Sequence, residues 1–409
     1  MKLFEELQWR GLIETISTPE LVDKLNNGGM TFYIGTDPTA DSLHIGHYSS
    51  LLMAKRLKDH GHKPIILVGG ATGLIGDPKQ SSERPMITKE ELDNNYQALS
   101  KQIKSLFDFD MVNNYDWSKD INFIDYLRDY GKHFTINYML NKETVKRRLD
   151  IGITYTEFSY MIMQALDFLY LFENKNCELQ FGGQDQWGNI TSGIELIRRK
   201  LGKEAYGFTV PLITKADGTK FGKTEGGALW LDKDKTSSYE LYQYFINSED
   251  SKVIDYLKKL TFLSKKEIES IEEEMKKDPG SRNAQKILAS EVIKQIHGSL
   301  ELEKAIKISE SLFSGNINNL TKEELLMAIN EMEAFSFNLN TPIVDILVES
   351  HAASSKREAR EFINCNSISL NGNKINDENL VIDNSLLLHK ELLVIRRGKK
   401  KYYLGKVNK

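Results

Sequence analysis

The stretch from Tyr33 to Ser50, YIGTDPTADSLHIGHYSS, contains the features that decide the fold. The apolar run from Met30 to Gly35 predicts a buried strand. A polar loop, TDPTADS, follows the strand and is rich in turn-forming and helix-capping residues. Apolar residues then recur at helical spacing over 48–60, so the segment His44 to His47 would open a helix with two imidazoles in its first turn. A strand, a loop and a helix in this order predict one unit of an α/β fold.

The start of this helix is a candidate anion site. A helix N-terminus presents unpaired backbone N–H groups and the positive end of the helix dipole. Gly46 lacks a Cβ, so a flat ring or a phosphate could lie against the backbone, which suits a nucleotide. Taken alone, His44 and His47 could also be metal ligands or simply polar residues at a helix end. No third ligand stands at the right spacing nearby, which disfavours a metal.

Length and composition limit the possible classes of protein. A chain of 409 residues is too long for one ordinary core, so two or three domains are expected. The chain has 40% hydrophobic and 27% charged residues, which is typical of a globular protein, and no apolar stretch reaches the length of a membrane span. The segment MKLFEELQWRGL has no signal-peptide core, and Cys177 and Cys365 stand in unrelated contexts. We therefore expect a cytoplasmic protein without disulfides, structural zinc or a membrane anchor.

The charge is unevenly distributed along the chain. From Thr341 onward there are 12 Lys and Arg against 8 Asp and Glu, whereas the first 340 residues have 42 against 50. An acidic body with a basic C-terminal part suggests that this part meets a polyanion, although charge alone equally fits a solubilising end.

A second strand–loop–helix unit follows the first. The run from Lys63 to Gly70, KPIILVGG, predicts a fully buried parallel strand, and ATGLIGDP after it forms a glycine-rich turn that ends in a carboxylate. Two such units predict a doubly wound parallel sheet, in which ligands bind beyond the carboxyl ends of the strands. The turn is not the GxGxxG fingerprint, which disfavours a nicotinamide cofactor.

Three later stretches of the sequence contain polar groups that could line the same ligand site, beyond the carboxyl ends of the strands. The segment from Tyr155 to Phe172 predicts a buried helix with a polar stripe at Tyr160, Gln164 and Asp167, which is either a pocket wall or an internal hydrogen-bond network. The segment 178–193, ELQFGGQDQWGNITSG, predicts a strand that runs into a glycine pair and a helix. The segment 214–224, TKADGTKFGKT, predicts a glycine-bearing loop with three lysines, which suits stabilisation of phosphate charge.

The change of pattern along the chain predicts the domains. Residues 1–231 form the α/β domain, with an inserted helical segment at about 93–149. Residues 232–335 form an α-helical domain, 336–342 a linker, and 343–409 a small α+β domain.

Several motifs in register identify a family. HIGH at 44–47, GGQDQWGN at 182–189, KFGKT at 220–224, LVGGATGLIGDP and the C-terminal SKREAREFI closely resemble the bacterial tyrosyl-tRNA synthetases of class I. The resemblance covers essentially the whole chain and implies a Rossmann-like catalytic domain, an anticodon-binding helical domain and an S4-like RNA-binding domain. It also implies ATP with Mg²⁺, L-tyrosine and tRNA(Tyr) as substrates and partners, and a homodimer that binds tRNA across both subunits.

The resemblance implies roles for individual residues. In the catalytic set, His44, His47 and Thr39 would contact ATP, while Lys220, Lys223 and Thr224 would hold the departing pyrophosphate. The tyrosine phenol would meet Tyr33 and Asp167, its ammonium Asp77, Tyr160 and Gln164, and its carbonyl side Gln180 and Gln186. The ATP-binding set would be Gly35, Asp37, Pro38, Gly46, Ser50, Gly183, Asp185 and Lys223. The RNA-binding set would be Lys356, Arg357, Arg360, Arg396, Arg397, Lys399 and Lys400, which are suited to RNA phosphates.

The sequence departs from the family pattern in a few places. Gln184 replaces the usual serine of the GGSDQ motif, Ser50 stands where threonine is common, and the segment after Asp77 is one residue shorter than usual. Three other functions are alternatives: a tryptophan-specific relative, a small nucleotidyltransferase with a HIGH-like motif, and a non-catalytic RNA-binding descendant. Tyr33 and Asp167 argue against the tryptophan-specific relative. The loop at 214–224, called the lysine loop below, argues against the small nucleotidyltransferase, and the retained histidines argue against the RNA-binding descendant.

Overall fold

The structure, a computed structural model, describes residues 1–78, 87–146, 148–224, 227–328, 332–398 and 401–408. The chain divides into two compact units. The first consists of Met1–Asp232 and Glu249–Ser270, and the second of Lys233–Ser248 and Ile271–Lys409. The sequence predicted boundaries after residues 231, 335 and 342. In the structure the chain enters the second unit at Lys233, returns to the first at Glu249 and enters the second again at Ile271.

The helices and strands have the following bounds. The helices are α1 (Leu3–Trp9), α2 (Leu21–Asn27), α3 (Ile45–Asp59), α4 (Thr72–Ile75), α5 (Lys89–Phe107), α6 (Tyr115–Ser118), α7 (Phe123–Asp125), α8 (Ile136–Leu140), α9 (Glu143–Lys146), α10 (Tyr155–Lys175), α11 (Trp187–Leu201), α12 (Ser238–Ile246), α13 (Asp250–Leu260), α14 (Lys265–Lys277), α15 (Asn283–His297), α16 (Ser299–Ser314), α17 (Lys322–Met327), α18 (Ile343–Glu349) and α19 (Lys356–Asn364). The strands are β1 (Thr15–Ile16), β2 (Thr31–Thr36), β3 (Lys63–Val68), β4 (Met111–Asn113), β5 (Cys177–Gly183), β6 (Tyr206–Val210), β7 (Lys223–Thr224), β8 (Gly227–Ala228), β9 (Glu333–Phe337), β10 (Thr341–Pro342), β11 (Ile368–Leu370), β12 (Asn373–Lys374), β13 (Val381–Ile382), β14 (Leu392–Arg397) and β15 (Lys401–Val407).

The main sheet of the first unit has, within the described residues, six strands in the order β1-β6-β5-β2-β3-β4. All neighbours pair in parallel except β1, an antiparallel edge strand. The chain passes from β2 outward to β3 and β4, then crosses to β5 and β6 on the other side. The direction of winding therefore reverses between β2 and β5, which is the point where sheets of this kind bind ligands. The predicted doubly wound α/β fold is confirmed.

Apolar burial explains why these segments pack as they do. Four consecutive residues of β3, Ile65 to Val68, are buried, as the continuous apolar run predicted. The helix α10 begins at the N-cap Thr154, whose side chain accepts the N–H of Glu157, and ends at Asn176 in the left-handed conformation. Its buried face, which includes Phe168 and Leu171, packs in one core cluster with strand residues such as Tyr33.

Short strands are where the sequence-based prediction was wrong. The strand β4 lies inside the predicted helical insertion. The strand β1 lies in the segment 1–28, for which apolar residues such as Leu3, Leu7 and Leu12 predict a helix. The strand β9 runs across the predicted boundary between the helical domain and the linker. Strands of two to five residues have too few positions to show an alternating pattern, so only their pairing partners identify them.

The second unit combines helices with a small sheet. Helices α12, α15 and α16 pack on one another. Among the described residues, a five-stranded sheet has the order β12-β11-β14-β15-β9, in which β9 is parallel to β15. Helices α18 and α19 cover this sheet over a core that contains Ile346, Ile363 and Ile395. No helix in the described part of the chain is both long enough and apolar enough to cross a membrane.

Candidate active site

A cavity of about 770 Å³ lies at the carboxyl edge of β2, β3 and β5 in the first unit. All seven residues predicted to bind tyrosine line it: Tyr33, Asp77, Tyr160, Gln164, Asp167, Gln180 and Gln186. Of the residues predicted to act on ATP, Gly35, Asp37, Thr39, His44, His47, Ser50 and Gly183 also line it. The fold therefore brings together residues that are up to about 150 positions apart in the sequence. They meet at the switch point, where the direction of winding of the sheet reverses between β2 and β5.

One end of the cavity holds a buried hydroxyl and a buried carboxylate. The Tyr33 side chain is 1% exposed, and among the described residues its hydroxyl has no hydrogen-bond partner. Its ring lies 5.3 Å from that of Phe168, which fixes its position. Burial raises the pKa of Tyr33 well above its usual value, and the charge of Asp167 raises it further. An uncompensated buried hydroxyl is costly, so this end of the cavity suits a ligand that brings its own hydroxyl.

The Asp167 carboxylate is held by two donors that the sequence did not reveal. Asn114 Nδ2 donates to Oδ2 at 2.9 Å, and Trp117 Nε1 donates to Oδ1 at 2.8 Å. Burial raises the pKa of Asp167 to about 7, while these two hydrogen bonds oppose the rise. Both donors follow β4 in the sequence. Because the prediction assigned residues 93–149 to a helical insertion, it contained no strand there and did not place Asn114 at the carboxyl edge of the sheet.

A network of amides and carboxylates forms the middle of the cavity wall. Asp77 accepts from Gln186 Nε2 at 2.9 Å and from Asn189 Nδ2 at 3.3 Å. Asn189 Nδ2 also donates to Gln164 Oε1 at 3.0 Å, so one amide joins two of the three predicted ammonium ligands, Asp77 and Gln164. The Gln180 Oε1 atom is buried and has no partner within the described residues. The wall therefore presents oxygen acceptors, which suit an ammonium group.

Asp37 organises the loop that follows β2. Its carboxylate accepts the Tyr160 hydroxyl at 3.1 Å and the Thr72 hydroxyl at 2.8 Å. A Cβ on Gly69 would lie 2.2 Å from Asp37 Oδ1, so only glycine allows the next strand to end this close. Pro38 does not line the cavity; its carbonyl accepts from Asn95 Nδ2 at 3.0 Å. The sequence missed Thr72, although it lies in the glycine-rich turn already identified.

The two histidines are locked together at the start of α3. The backbone N–H of Gly46 donates to His44 Nδ1 at 3.1 Å, and that of His44 donates to His47 Nδ1 at 3.2 Å. Both Nδ1 atoms are therefore acceptors, which leaves Nε2–H as the donor on each ring. The rings stack with centroids 3.9 Å apart. Burial lowers the pKa of His47 to about 3, and the charge of His44 adds to the effect, so His47 is a neutral donor.

Gly46 has a different environment from the one predicted. It does not line the cavity, and its N–H is already used by His44. A Cβ there would lie 2.8 Å from His44 Cε1, so the absence of a side chain makes room for the histidine ring rather than for a ligand in this structure.

The lysine loop lies beside this helix but outside the cavity lining. Its hairpin pairs Thr214 with Lys220, and Gly222 fits against Ile45 so tightly that a Cβ would lie 1.9 Å from Ile45 Cγ2. The Lys220 side chain is exposed and does not line the cavity. Lys223 and Thr224 form β7, and their side chains lie outside the described part of the structure.

The turn after β5 explains the departure at Gln184. The side chain of Gln184 accepts the hydroxyls of Thr209 and Thr15 at the β1–β6 edge of the sheet and does not line the cavity. Asp185 does not line the cavity either; its Oδ2 accepts from Gln186 Nε2 at 3.3 Å. The replacement of serine by glutamine is thus accommodated at the edge strand.

The predicted RNA-binding residues lie in the second unit, on α19 and at the end of β14. Arg357 is exposed, whereas Lys356 pairs with Asp345 and Arg360 lies 4.0 Å from Glu378. Arg396 lies opposite Ser369 in the sheet. Arg397 is half-buried, donates to the Ala352 carbonyl at 2.6 Å and packs 5.4 Å from the Phe362 ring centroid. Lys399 and Lys400 lie outside the described residues.

Comparisons with known proteins identify the family of this chain. The family model for class I tRNA synthetases (W and Y) matches residues 25–314, and that for the tyrosine–tRNA ligase SYY-like C-terminal domain matches residues 324–405. The tyrosine–tRNA ligases of Geobacillus stearothermophilus and Staphylococcus carnosus (strain TM300) are 50% and 49% identical to this chain, with 99% of each chain covered.

Solved structures show the same fold. A C-terminally truncated mitochondrial tyrosyl-tRNA synthetase from Coccidioides posadasii aligns with a TM-score of 0.66 and 33% identity, covering 75% of this chain and 91% of that one. A tryptophanyl-tRNA synthetase from Encephalitozoon cuniculi aligns with a TM-score of 0.56 but only 16% identity, covering 79% and 89%, which shows the fold alone. With half of its residues identical over nearly its whole length, the chain belongs to the bacterial tyrosine–tRNA ligases, which are class I aminoacyl-tRNA synthetases.

Proposed function

We propose that the cavity at the β2–β5 switch point binds tyrosine at its Tyr33–Asp167 end and ATP at its His44–His47 end. The reaction of the family has two steps: tyrosine and ATP form tyrosyl-adenylate and pyrophosphate, and the tyrosyl group then passes to the 3′ end of tRNA(Tyr). The observation that carries the assignment is the buried Tyr33 hydroxyl, which has no partner among the described residues and lies in the same cavity as the His47 imidazole, which burial keeps neutral.

The phenol end explains the choice of amino acid. The substrate hydroxyl would pair with Tyr33 and Asp167, and phenylalanine would leave both groups buried and unpaired. Strong rejection of phenylalanine follows, and tyrosyl-tRNA synthetases are the familiar example of this effect. Asn114 and Trp117 would serve by holding Asp167 as the acceptor. The substrate ammonium would be bound by Asp77, Tyr160 and Gln164, and its carboxylate side would face Gln180 and Gln186.

The nucleotide end would catalyse by positioning and charge stabilisation. In the first step a tyrosine carboxylate oxygen attacks the α-phosphorus of ATP and pyrophosphate leaves, so no protein nucleophile is required. The Nε2–H groups of His44 and His47 would donate to phosphate oxygens, with Thr39 at the γ-phosphate. Lys220, Lys223 and Thr224 would close on the departing pyrophosphate. Gly35, Ser50, Gly183 and Asp185 would contact the ribose, while Asp37 and Pro38 would shape the loop against it.

We propose that Mg²⁺ arrives bound to ATP rather than to a protein site. The carboxylates of Asp37, Asp77 and Asp167 each accept two hydrogen bonds from side chains, and the proposed roles of Asp77 and Asp167 assign their remaining acceptor capacity to tyrosine rather than to a metal ion. The ion would supply charge neutralisation on the phosphates.

A homodimer in the cytoplasm is the assembly we propose. Between residues 123 and 155 several large apolar side chains of the first unit are highly exposed: Phe123 (67%), Ile124 (64%), Ile136 (60%), Ile151 (66%) and Tyr155 (65%). Exposed apolar surface of this kind is typical of an interface between subunits. Light scattering should give twice the chain mass, and Tyr155→Asp should shift it toward the monomer. A wild-type mass of one chain at micromolar concentration would refute the proposal.

The second unit would bind tRNA. Its helices within the predicted helical domain 232–335 would approach the anticodon. The predicted basic set would contact phosphates: Lys356, Arg357, Arg360, Arg396, Arg397, Lys399 and Lys400. Reversal of charge at Arg357 should raise the KM for tRNA and leave tyrosine activation unchanged. An unchanged KM would contradict the role of this residue.

ATP–pyrophosphate exchange with each standard amino acid, without tRNA, tests the cavity assignment. Exchange is expected with tyrosine, and Tyr33→Phe should weaken discrimination against phenylalanine. Lys220→Ala should slow exchange while leaving tRNA binding nearly intact. Exchange with tryptophan in place of tyrosine, or equal discrimination by Tyr33→Phe and the unaltered chain, would overturn it.

A further inference from the structure

The lysine loop is a hairpin whose two arms are joined at its base. Phe221 N–H donates to the Ile213 carbonyl at 3.2 Å, and Lys215 N–H donates to the Thr219 carbonyl at 2.9 Å. Thr214 and Lys220 face each other across the hairpin. The position of Lys220, and of the chain that continues to Lys223, therefore depends on what fixes the base.

The returning arm is fixed to the histidine helix. Leu229 N–H donates to the Gly222 carbonyl at 3.1 Å, and Ile45 N–H donates to the Leu229 carbonyl at 2.9 Å. These bonds place the end of the hairpin against the first turn of α3. The outgoing arm, at Thr214, is held from a different direction.

That second attachment comes from Tyr256 on α13, which lies outside the sequence motifs quoted above. The Tyr256 hydroxyl donates to the Thr214 carbonyl at 3.0 Å, and its ring centroid lies 4.5 Å from that of Phe221. Tyr256 is 3% exposed and Phe221 is 8% exposed, so the contact is desolvated. One side chain thus contacts both arms of the hairpin, the outgoing arm through its hydroxyl and the returning arm through its ring.

The helix that carries Tyr256 is fixed to the same frame as the histidines. Arg10 donates to the carbonyls of Lys258 at 2.9 Å and Leu263 at 2.7 Å. Arg56, which lies on α3 with His44 and His47 at its start, donates to the carbonyl of Thr261. These are charge-assisted hydrogen bonds from buried guanidinium groups, which are stronger than neutral ones. A rigid connection therefore runs from α3 through α13 to the base of the lysine loop.

We propose that Tyr256 is a positioning residue for adenylate formation, which holds the base of the lysine loop so that Lys220 and Lys223 reach the phosphates together. The inference rests on the phosphate role proposed above for these lysines. Tyr256 is not among the described residues that line the cavity, so in this proposal it acts through the loop. Removing its hydroxyl should slow the chemical step without weakening tyrosine binding.

The test compares Tyr256→Phe with Tyr206→Phe. Tyr206, on β6, is also a buried tyrosine of the first unit, 5% exposed. Its hydroxyl donates to Glu204 Oε2 at 3.2 Å and not to the lysine loop, so it is a matched control. Tyr256→Phe should lower the single-turnover rate of tyrosyl-adenylate formation by about 2- to 10-fold, the range for one lost neutral hydrogen bond. The KM for tyrosine and the transfer of tyrosine from preformed adenylate to tRNA should not change, and Tyr206→Phe should resemble the unaltered chain.

A second readout does not depend on catalysis. Trypsin cuts after lysine, so the rate of cleavage after Lys215 and Lys220 in the full chain reports opening of the hairpin. This rate should rise in Tyr256→Phe and not in Tyr206→Phe. Phe221→Leu removes the ring that packs on Tyr256 and should also raise the rate of cleavage. This second variant keeps the test valid if Tyr256→Phe does not fold.

The outcomes separate this inference from the proposed function. Equal cleavage and equal adenylate rates in Tyr256→Phe and Tyr206→Phe would overturn the positioning role. So would a loss of tyrosine binding and tRNA transfer as large as the loss of activation. If Lys220→Ala instead activated tyrosine at the full rate, the proposed phosphate role would fail, while cleavage would still report whether Tyr256 holds the loop.

Discussion

Replacing Gly222 by alanine is expected to destabilise the first unit and displace the lysine loop from the histidine helix. Gly222 has φ of +82°, a conformation that residues with a Cβ rarely adopt. The added Cβ would lie 1.9 Å from Ile45 Cγ2, and Ile45 is completely buried. Backbone strain and a steric clash therefore act at the same residue.

The two effects can be given separate magnitudes. The left-handed backbone costs about 1–2 kcal/mol for a residue with a Cβ. Overpacking against a buried neighbour costs about 1–3 kcal/mol more. The sum is about 2–5 kcal/mol of unfolding free energy. Gly218 in the same loop has φ of +81°, but a Cβ there would meet nothing within 4 Å, so Gly218→Ala should show the backbone cost alone.

Urea unfolding followed by tryptophan fluorescence measures this difference, because all four tryptophans lie in the first unit. Gly222→Ala should be less stable than Gly218→Ala by about 1–3 kcal/mol, the overpacking cost. Combining Gly222→Ala with Ile45→Ala should cost less than the sum of the two single changes, because the clashing methyl is gone. Equal stability of the two glycine variants would refute the reasoning.

Three further outcomes follow from the buried polar groups of the first unit. Arg148→Met should lower the unfolding free energy by about 3–5 kcal/mol, because Glu157, which pairs with Arg148 at 2.9 Å and is only 2% exposed, would be left unpaired. Urea unfolding measures this loss, and a loss below about 1 kcal/mol would contradict the prediction. Since the pKa of His47 falls from 6.5 to about 3 on folding, the unfolded chain binds more protons between these values and stability is lost as the pH falls below 6.5. His47→Gln should therefore flatten stability against pH between 6.5 and 4, and an unchanged slope would count against a buried neutral ring. Asn114→Ala should raise the KM for tyrosine roughly tenfold, because Asp167 loses a hydrogen bond to its carboxylate. Initial-rate kinetics measure the KM, and an unchanged KM would contradict the prediction.

The sequence predicted the parts of the fold that local pattern determines. The runs Met30 to Gly35 and Lys63 to Gly70 correspond to β2 and β3, and the helix predicted from Tyr155 corresponds to α10. Short elements escaped prediction: β4 and β1 have two or three residues, too few to show a period, and form because a neighbouring strand supplies their hydrogen bonds.

Much of the candidate site was also accessible from sequence, because a motif specifies both residue types and their spacing. The polar stripe at Tyr160, Gln164 and Asp167 left a pocket wall and an internal network equally open. In the structure it is both: these side chains line the cavity and bond within it. The direction of Gln184 toward the sheet edge could not be predicted, because Thr209 and Thr15 meet it only after β1 pairs with β6.

The sequence by itself determined the family, the doubly wound sheet and most of the residues that line the cavity, since motifs and apolar periodicity are local properties of the chain. Only the tertiary structure decided that Asn114 and Trp117 hold Asp167, that backbone amides fix the histidine tautomers, and that Tyr256 contacts the lysine loop. The donors to Asp167 stand 53 and 50 positions away in sequence, and Tyr256 stands 42 from Thr214. Such contacts leave no trace in local pattern, because they arise from where strands end and helices pack once the chain has folded.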